Sequence, residues 1–176
     1  MSSDDRRRGR ALSVSRRVMR GFDPQRLVAA RRDRGGISQA ELARRTRLDR
    51  KPGEAGIKTA DTIRRWEAGT SSPSIDMLVV VVEELNKISP LAIEDLVHIP
   101  VEERYPGDWR ILRGMTQPQL GMKAGLPTQI VGSVERGQIS LSDNTARKLA
   151  AALEISEAEL RASYVRVRDR PVDAPA

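Results

Sequence analysis

Residues 37–48 read ISQAELARRTRL, and residues 115–126 read MTQPQLGMKAGL. The two stretches share a hydroxyl residue, a glutamine and two leucines at a constant offset of 78 residues. Further along, TIRRWEAG at 62–69 aligns with IVGSVERG at 130–137, now at an offset of 68. The sequence therefore contains an internal repeat whose first copy holds ten extra residues, which coincide with DRKPGEAGIK at 49–58.

Each copy carries the start and stop signals of short helices. Asp23 and Pro24 suit the N-cap and first position of a helix, Ser38 with Glu41 forms a capping-box pattern, and Gly69 suits a helix end. In the first copy we expect helices near 24–34, 38–46, 60–68, 74–85 and 90–97, the fourth with an apolar stripe of Ile75, Leu78, Val79, Val82 and Leu85. In the second copy we expect a shortened first helix at 108–113, a fourth at 143–153 and a last one at 156–165, with Trp109 completing the core.

The composition favours helices packed on helices. Only 3% of the 176 residues are aromatic, and the apolar residues are mostly Ala, Leu, Val and Ile. We predict an all-α fold with two small domains of about five short helices each, joined by a short linker. The predicted segments are a disordered basic arm at 1–21, a first domain at 22–98 with an insertion loop at 49–58, a linker at 99–107, a second domain at 108–165 and a disordered tail at 166–176.

The sequence offers little for enzymatic chemistry. It has no cysteine, which excludes disulfides, thiolate metal sites and cysteine nucleophiles. The single histidine, His98, lies in the apolar run LVHI at 96–99, and we expect a packed or half-exposed residue at a helix end rather than a catalytic base. We therefore predict no catalytic residue, no metal and no cofactor, and no small-molecule ligand is evident.

The sequence also lacks membrane signals. No stretch approaches the roughly 20 apolar residues of a membrane span, and the N-terminus has charge without the apolar core of a signal peptide. We expect a cytoplasmic protein without membrane contact.

The positive charge is unevenly distributed. Of the net charge of +7, the first 21 residues contribute +5 through seven arginines and two aspartates. This segment is interpreted either as a basic arm that follows nucleic acid or as a plain flexible leader. Residues 24–65 carry twelve basic and five acidic side chains, whereas residues 66–98 carry one basic and six acidic ones. Such segregation predicts one positive face, which a phosphate backbone would attract.

Both copies resemble the helix-turn-helix domains of the Cro and lambda-repressor class, often called the XRE family. The shared features are a hydroxyl residue and Gln opening helix two, a Leu followed by a small residue within it, the Glu-x-Gly end of helix three and an apolar helix four. The resemblance covers about residues 22–98 and 105–165. It implies a nucleoid-associated protein that is no enzyme and binds double-stranded DNA sequence-specifically, with helix three of each domain in the major groove.

The resemblance also implies which residues meet DNA. The family's glutamine at the start of helix two contacts phosphate, which carries over to Gln39 and Gln117. The exposed positions of helix three read bases and carry over to Ala60, Asp61, Arg64 and Arg65, and in the second copy to Thr128, Gln129, Gly132 and Ser133. The insertion adds Arg50, Lys51 and Lys58 as candidate backbone contacts.

Individual side chains suggest specific contacts. Arg64 and Arg65 can each fork onto guanine O6 and N7, while Asp61 either accepts from cytosine N4 or orients an arginine. Gln129 suits adenine. Glu67 and Glu135 are interpreted as structural acids, since a carboxylate facing phosphate would be repelled.

The expected role is repression of the phage or mobile-element type, on an operator with two unequal half-sites in a direct or imperfect inverted repeat. A linker of about eight residues reaches roughly 26 Å, so half-sites about one helical turn apart are within reach. The alternative is a protein-interaction module, antitoxin-like or polymerase-contacting, because helix three of the second copy has no positive charge before Arg136. The oligomeric state stays open, with a homodimer among the alternatives.

Overall fold

The computed structural model describes residues 19–48 and 56–170. Within these ranges the chain forms nine α-helices and no strand, which confirms the all-α prediction. The first half, up to residue 99, contains α1 (Pro24–Asp33), α2 (Gln39–Leu48), α3 (Ala60–Glu67) and α4 (Ile75–Asn86). The second half, from residue 100, contains α5 (Pro106–Leu112), α6 (Gln117–Ala124), α7 (Thr128–Glu135), α8 (Asp143–Leu153) and α9 (Glu157–Arg168). None of the helices in these ranges has the length and apolar character that crossing a bilayer requires.

The N-caps predicted at Asp23 and Ser38 are present, whereas the Glu41 carboxylate pairs with Arg44 and Arg45 rather than completing the capping box. The Asp23 carboxylate accepts hydrogen bonds from the backbone N–H groups of Gln25 and Arg26, and Pro24 occupies the first turn of α1. The Ser38 hydroxyl accepts from the N–H of Glu41 at 3.0 Å. These local bonds satisfy N–H groups that have no partner within the helices.

Two hydrophobic clusters form the core, one in each half. The first is centred on residues of α1 to α4 that are at most 5% exposed, among them Leu27, Leu42, Ile63, Trp66, Leu78 and Leu85. The second gathers residues of α5 to α9, including Leu120, Val131, Val134, Leu153 and Leu160. Trp109 belongs to the second cluster, which confirms its predicted role in the core.

The apolar stripe of α4 is rotated relative to the prediction. Leu78, Val81 and Leu85 are buried in the first cluster, whereas Val79 and Val82 are only partly buried. Val79 instead turns towards the second half, where a Cβ placed on Gly114 would lie 3.1 Å from its Cγ2. The second half thus covers one flank of the helix that the repeat alone would leave to solvent.

The fifth helix expected near 90–97 does not form. Only a 3-10 helix, Ile93–Asp95, is present, because the following residues pair with the segment before α1. The N–H of Asp23 donates to the carbonyl of Leu96 at 3.0 Å, and the N–H of His98 donates to the carbonyl of Gly21 at 2.8 Å. The expectation of His98 as a packed or half-exposed residue at a helix end was therefore wrong, since it is exposed on extended chain.

Two segments predicted to be disordered are partly ordered. The N–H of Met19 donates to the Ser72 hydroxyl at 2.6 Å. Helix α9 continues to Arg168 because Val167 is buried, and Arg166 Nε donates to the carbonyl of Arg104 at 3.0 Å. The prediction was wrong for residues 19–21 and 166–170, and its remainder, 1–18 and 171–176, lies outside the described residues.

The linker and the insertion also differ from simple loops. Helix α5 begins at Pro106, two residues before the predicted start, since proline suits the first turn of a helix. A second 3-10 helix, Val101–Glu103, precedes it. Of the insertion, residues 49–55 lie outside the described ranges; Ile57 is 1% exposed, and its N–H donates to the Thr46 hydroxyl at 3.1 Å.

The two halves are in direct contact. Leu112 of α5 packs within the hydrophobic cluster of the first half. Arg20 Nη1 lies 2.5 Å from Oδ2 of Asp108, and the Arg20 guanidinium stacks 4.6 Å from the centre of the Tyr105 ring. Arg113 Nη1 lies 3.4 Å from Oε1 of Glu94. These contacts join the halves through both apolar packing and ion pairs.

Candidate functional site

A buried ion pair positions α3 against α1. Arg31 of α1 donates from Nε to Oε1 of Glu67 at 2.6 Å and from Nη2 to Oε2 at 2.9 Å. Its third donor, Nη1, reaches the carbonyl of Ile37 at 2.5 Å. Gln39, the first residue of α2, donates from Nε2 to Oε2 of Glu67 at 2.6 Å. The end of α3 is therefore tied to both α1 and α2.

The second half repeats this network. Arg110 donates from Nε to Oε1 of Glu135 at 2.6 Å and from Nη2 to Oε2 at 3.1 Å. Its Nη1 reaches the carbonyl of Met115 at 2.8 Å, and Gln117 donates from Nε2 to Oε2 of Glu135 at 2.7 Å. Equivalent atoms pair in both halves, although Arg31 and Arg110 are 79 residues apart rather than 78, so the same helix arrangement is built in both halves.

The acidic partner is held ionised by this network. Burial alone raises the pKa of Glu67, but hydrogen bonds from Arg31 and Gln39 outweigh it, so the net pKa lies below its ordinary value of 4.5. Glu67 is the structural acid that the sequence predicted, as is Glu135 in the second half. Neither carboxylate is available to face a ligand.

Helix α3 has one buried and one exposed face. Ile63 and Trp66 are buried in the first cluster. On the other side the Arg64 side chain is 70% exposed and that of Arg65 is 45% exposed. The helix therefore presents two guanidinium groups to solvent from a fixed support.

Asp61 contacts both exposed arginines. Its Oδ1 accepts from Nη2 of Arg64, and its Oδ2 lies 3.1 Å from Nε of Arg65. The hydrogen bond from Arg64 is the largest cause that lowers the pKa of Asp61 below its ordinary value. Of the two roles open to Asp61, orientation of the arginines is the one seen in the structure.

Helix α7 has the same inner face but a different outer one. Val131 and Val134 are buried, Thr128 and Gln129 are exposed, and Ser133 is half-buried. Gly132 was predicted to be an exposed, base-reading position, and this was wrong. It is buried because the Arg136 side chain lies over it.

The remaining predicted contacts fall into three groups. Lys58 is exposed, and Ala60 is a half-buried residue at the start of α3. Gln39 and Gln117 are half-buried, with their amides engaged by Glu67 and Glu135. Predicted contacts outside the described residues are Arg50 and Lys51.

Sequence reasoning missed Arg31, Arg110 and Arg136. Arg31 and Arg110 had a detectable signal, since each precedes the repeated helix-two motif by a similar distance and each copy ends helix three with a glutamate. Arg136 was noted only as the first positive charge after α7. Alignment of the two repeats does not show that the Arg136 side chain folds back over α7.

The described surface suits electrostatic and hydrogen-bond recognition. Among the described residues, no group of three or more His, Asp or Glu side chains is arranged to hold a metal ion. Exposed guanidinium groups, hydroxyls and amides occupy the outer faces of α3 and α7. Such groups bind phosphate and the edges of bases.

Comparison with known proteins finds a similarity in the second half. A search of curated protein sequences found no match to the chain. A family model described as Helix-turn-helix matches residues 108–160, less than a third of the chain, and the match includes all of α6, α7 and α8. Residues 108–160 are therefore similar to helix-turn-helix domains.

Proposed function

We propose that the protein is a transcriptional repressor of the phage or mobile-element type. In this proposal it binds double-stranded DNA sequence-specifically through two helix-turn-helix domains in one chain. The observation that carries this proposal is α3, which exposes Arg64 and Arg65 while Ile63 and Trp66 anchor its inner face. The helix-turn-helix match to residues 108–160 supports the same function for the second half. In this proposal α3 and α7 are the recognition helices.

Close packing of the two motif helices supports groove insertion. A recognition helix must project from its support to enter a major groove about 12 Å wide. Ala43 is 2% exposed between α2 and its neighbours, and a Cβ on Gly121 would lie only 2.7 Å from the carbonyl oxygen of Leu126. Small residues at these positions let the supporting helix and the recognition helix approach each other closely.

The contacts between the halves favour an operator with two half-sites at one spacing. Arg20 reaches Asp108, and Leu112 of the second half packs in the core of the first. Domains fixed in this way cannot follow half-sites that are moved apart or rotated around the helix. One chain would thus read two unequal half-sites without a second copy.

Footprinting on the DNA that flanks the gene, repeated over a series of salt concentrations, tests the proposal. We expect protection of two adjacent segments about one helical turn apart, with affinity that falls steeply as salt rises. Insertion of five base pairs between the segments should abolish joint protection, because it turns one half-site to the opposite side of the duplex. The absence of any protected segment at low salt would contradict the proposed function.

A further inference from the structure

The two recognition helices each carry an arginine, but at positions that differ by one helical turn. At the offset of 68, Arg64 of α3 aligns with Gly132 of α7, and Ala68 aligns with Arg136. The first half thus has a guanidinium on the outer face and a small residue one turn later. The second half has the reverse order.

The structure brings the second arginine back to the aligned position. A Cβ built on Gly132 would lie 3.0 Å from Nη1 and 3.4 Å from Nη2 of Arg136. The guanidinium therefore rests on the glycine, at the place on α7 where Arg64 leaves α3. The side chain is held there by Gln138, whose Oε1 accepts from Nε of Arg136 at 2.8 Å.

The end of this guanidinium remains open to a ligand. Among the described residues, no carboxylate pairs with Arg136, whereas Arg64 is paired with Asp61. The neighbouring Glu135 is engaged by Arg110 and Gln117. Arg136 is exposed, and the amide oxygen of Gln117 lies 3.4 Å from the same Cβ position. A guanidinium beside the start of α6 is well placed for the edge of a base.

We infer that Arg136 is the specificity-determining residue of the second half, where it supplies on α7 the guanidinium that Arg64 supplies on α3. This inference rests on the proposed function and gives the second half a DNA-reading role of its own. Gly132 contributes to this arrangement, since a Cβ there would lie only 3.0 Å from Nη1 and the guanidinium would have to shift. The favoured contact is a fork onto guanine O6 and N7 in the second half-site.

Selection of bound duplexes from a random-sequence library tests this inference with the full chain. The proteins compared are the wild type, Arg136→Ala, Arg136→Lys, Gly132→Ala and the control Arg147→Ala. Arg147 is an exposed arginine on α8, with a side chain that is 70% exposed. Circular dichroism checks that each variant is folded.

We expect the wild type to enrich two half-sites. Arg136→Ala should lose the guanine preference in one half-site and bind the selected duplex roughly 10- to 100-fold more weakly, with the other half-site unchanged. Arg136→Lys should retain charge but not the fork, so it should lose the same preference with a smaller loss of affinity. Gly132→Ala should weaken preference at the same position, while Arg147→Ala should select the wild-type motif.

Two results would overturn the inference, and they are distinguishable. If the wild type enriches a motif that Arg136→Ala also enriches with affinity within about twofold, Arg136 does not read DNA although the proposed function stands. If the wild type enriches no duplex, the proposed function fails and this inference fails with it.

Discussion

Arg31 and Glu67 form an ion pair in which Nε of the arginine lies 2.6 Å from Oε1 of the glutamate, with less than a tenth of either side chain exposed. Removal of Arg31 would leave the Glu67 carboxylate buried without an opposite charge, with only the hydrogen bond from Gln39. We predict that Arg31→Met lowers the free energy of unfolding by about 3–5 kcal/mol. Urea denaturation followed by circular dichroism measures this change.

The matched control lies on the same helix. Arg26 is about half exposed and lies 3.4 Å from Asp23, so Arg26→Met should change the free energy of unfolding by less than about 1 kcal/mol. The double variant Arg31→Met with Glu67→Leu removes both charges and should recover most of the lost stability. Equal stability of Arg31→Met and the wild type would contradict a structural role for the pair.

Glu67 also makes the stability of the folded protein depend on pH. The pKa of Glu67 in the folded protein lies below its ordinary value of 4.5, so the folded state favours the ionised form. Its contribution is present above pH 4.5 and is lost as the pH falls through the lowered folded pKa. Urea midpoints from pH 7 downwards should fall in the wild type and fall less steeply in Glu67→Gln. Parallel curves for the two proteins would contradict this assignment.

Asp61 restrains the two exposed arginines of α3. We predict that Asp61→Asn raises the affinity for random-sequence duplex DNA several-fold at low salt, because it removes a negative charge that phosphate repels. Site preference should fall, since Arg64 and Arg65 lose their shared partner. Fluorescence anisotropy with labelled duplexes measures both effects. Asp143→Asn, which removes an exposed aspartate paired with Arg161, is the control and should leave binding unchanged.

Leu112 couples the two cores. Although it belongs to α5, it is 4% exposed within the cluster of the first half. We predict that Leu112→Ala lowers the free energy of unfolding by about 2–5 kcal/mol and that both halves are affected. Trp66 and Trp109 lie one in each half, so Trp109→Phe and Trp66→Phe backgrounds report on the halves separately by fluorescence. A shift of the urea midpoint in only one background would contradict coupling.

The sequence predicted those features of the fold that depend on residues close together in the chain. The capping pattern of Asp23 and Ser38, and the repeated motif itself, follow from local signals, and the structure contains the corresponding helices. What it could not predict depends on distant contacts. Arg20 was assigned to a disordered arm because its partner, Asp108, lies 88 residues away. His98 was expected near a helix end because its pairing with Gly21 is equally invisible in a local pattern.

The candidate site follows the same division. The outer face of α3 could be derived from helical periodicity, because Ile63 and Trp66 fix which side is buried. The family resemblance also marked position 132 as exposed. It failed there because a glycine leaves a space that the long side chain of Arg136 fills from the next turn.

Methylation of guanine N7 by dimethyl sulfate, which attacks from the major groove, tests the central claim most directly. With the wild-type chain bound to its selected duplex, we predict that guanines in the first half-site are protected at N7 and that Arg64→Ala with Arg65→Ala removes this protection. Salt-sensitive binding to unrelated duplexes should persist in that variant. Unprotected guanines in a fully bound complex, or protection unchanged by the double substitution, would contradict the account.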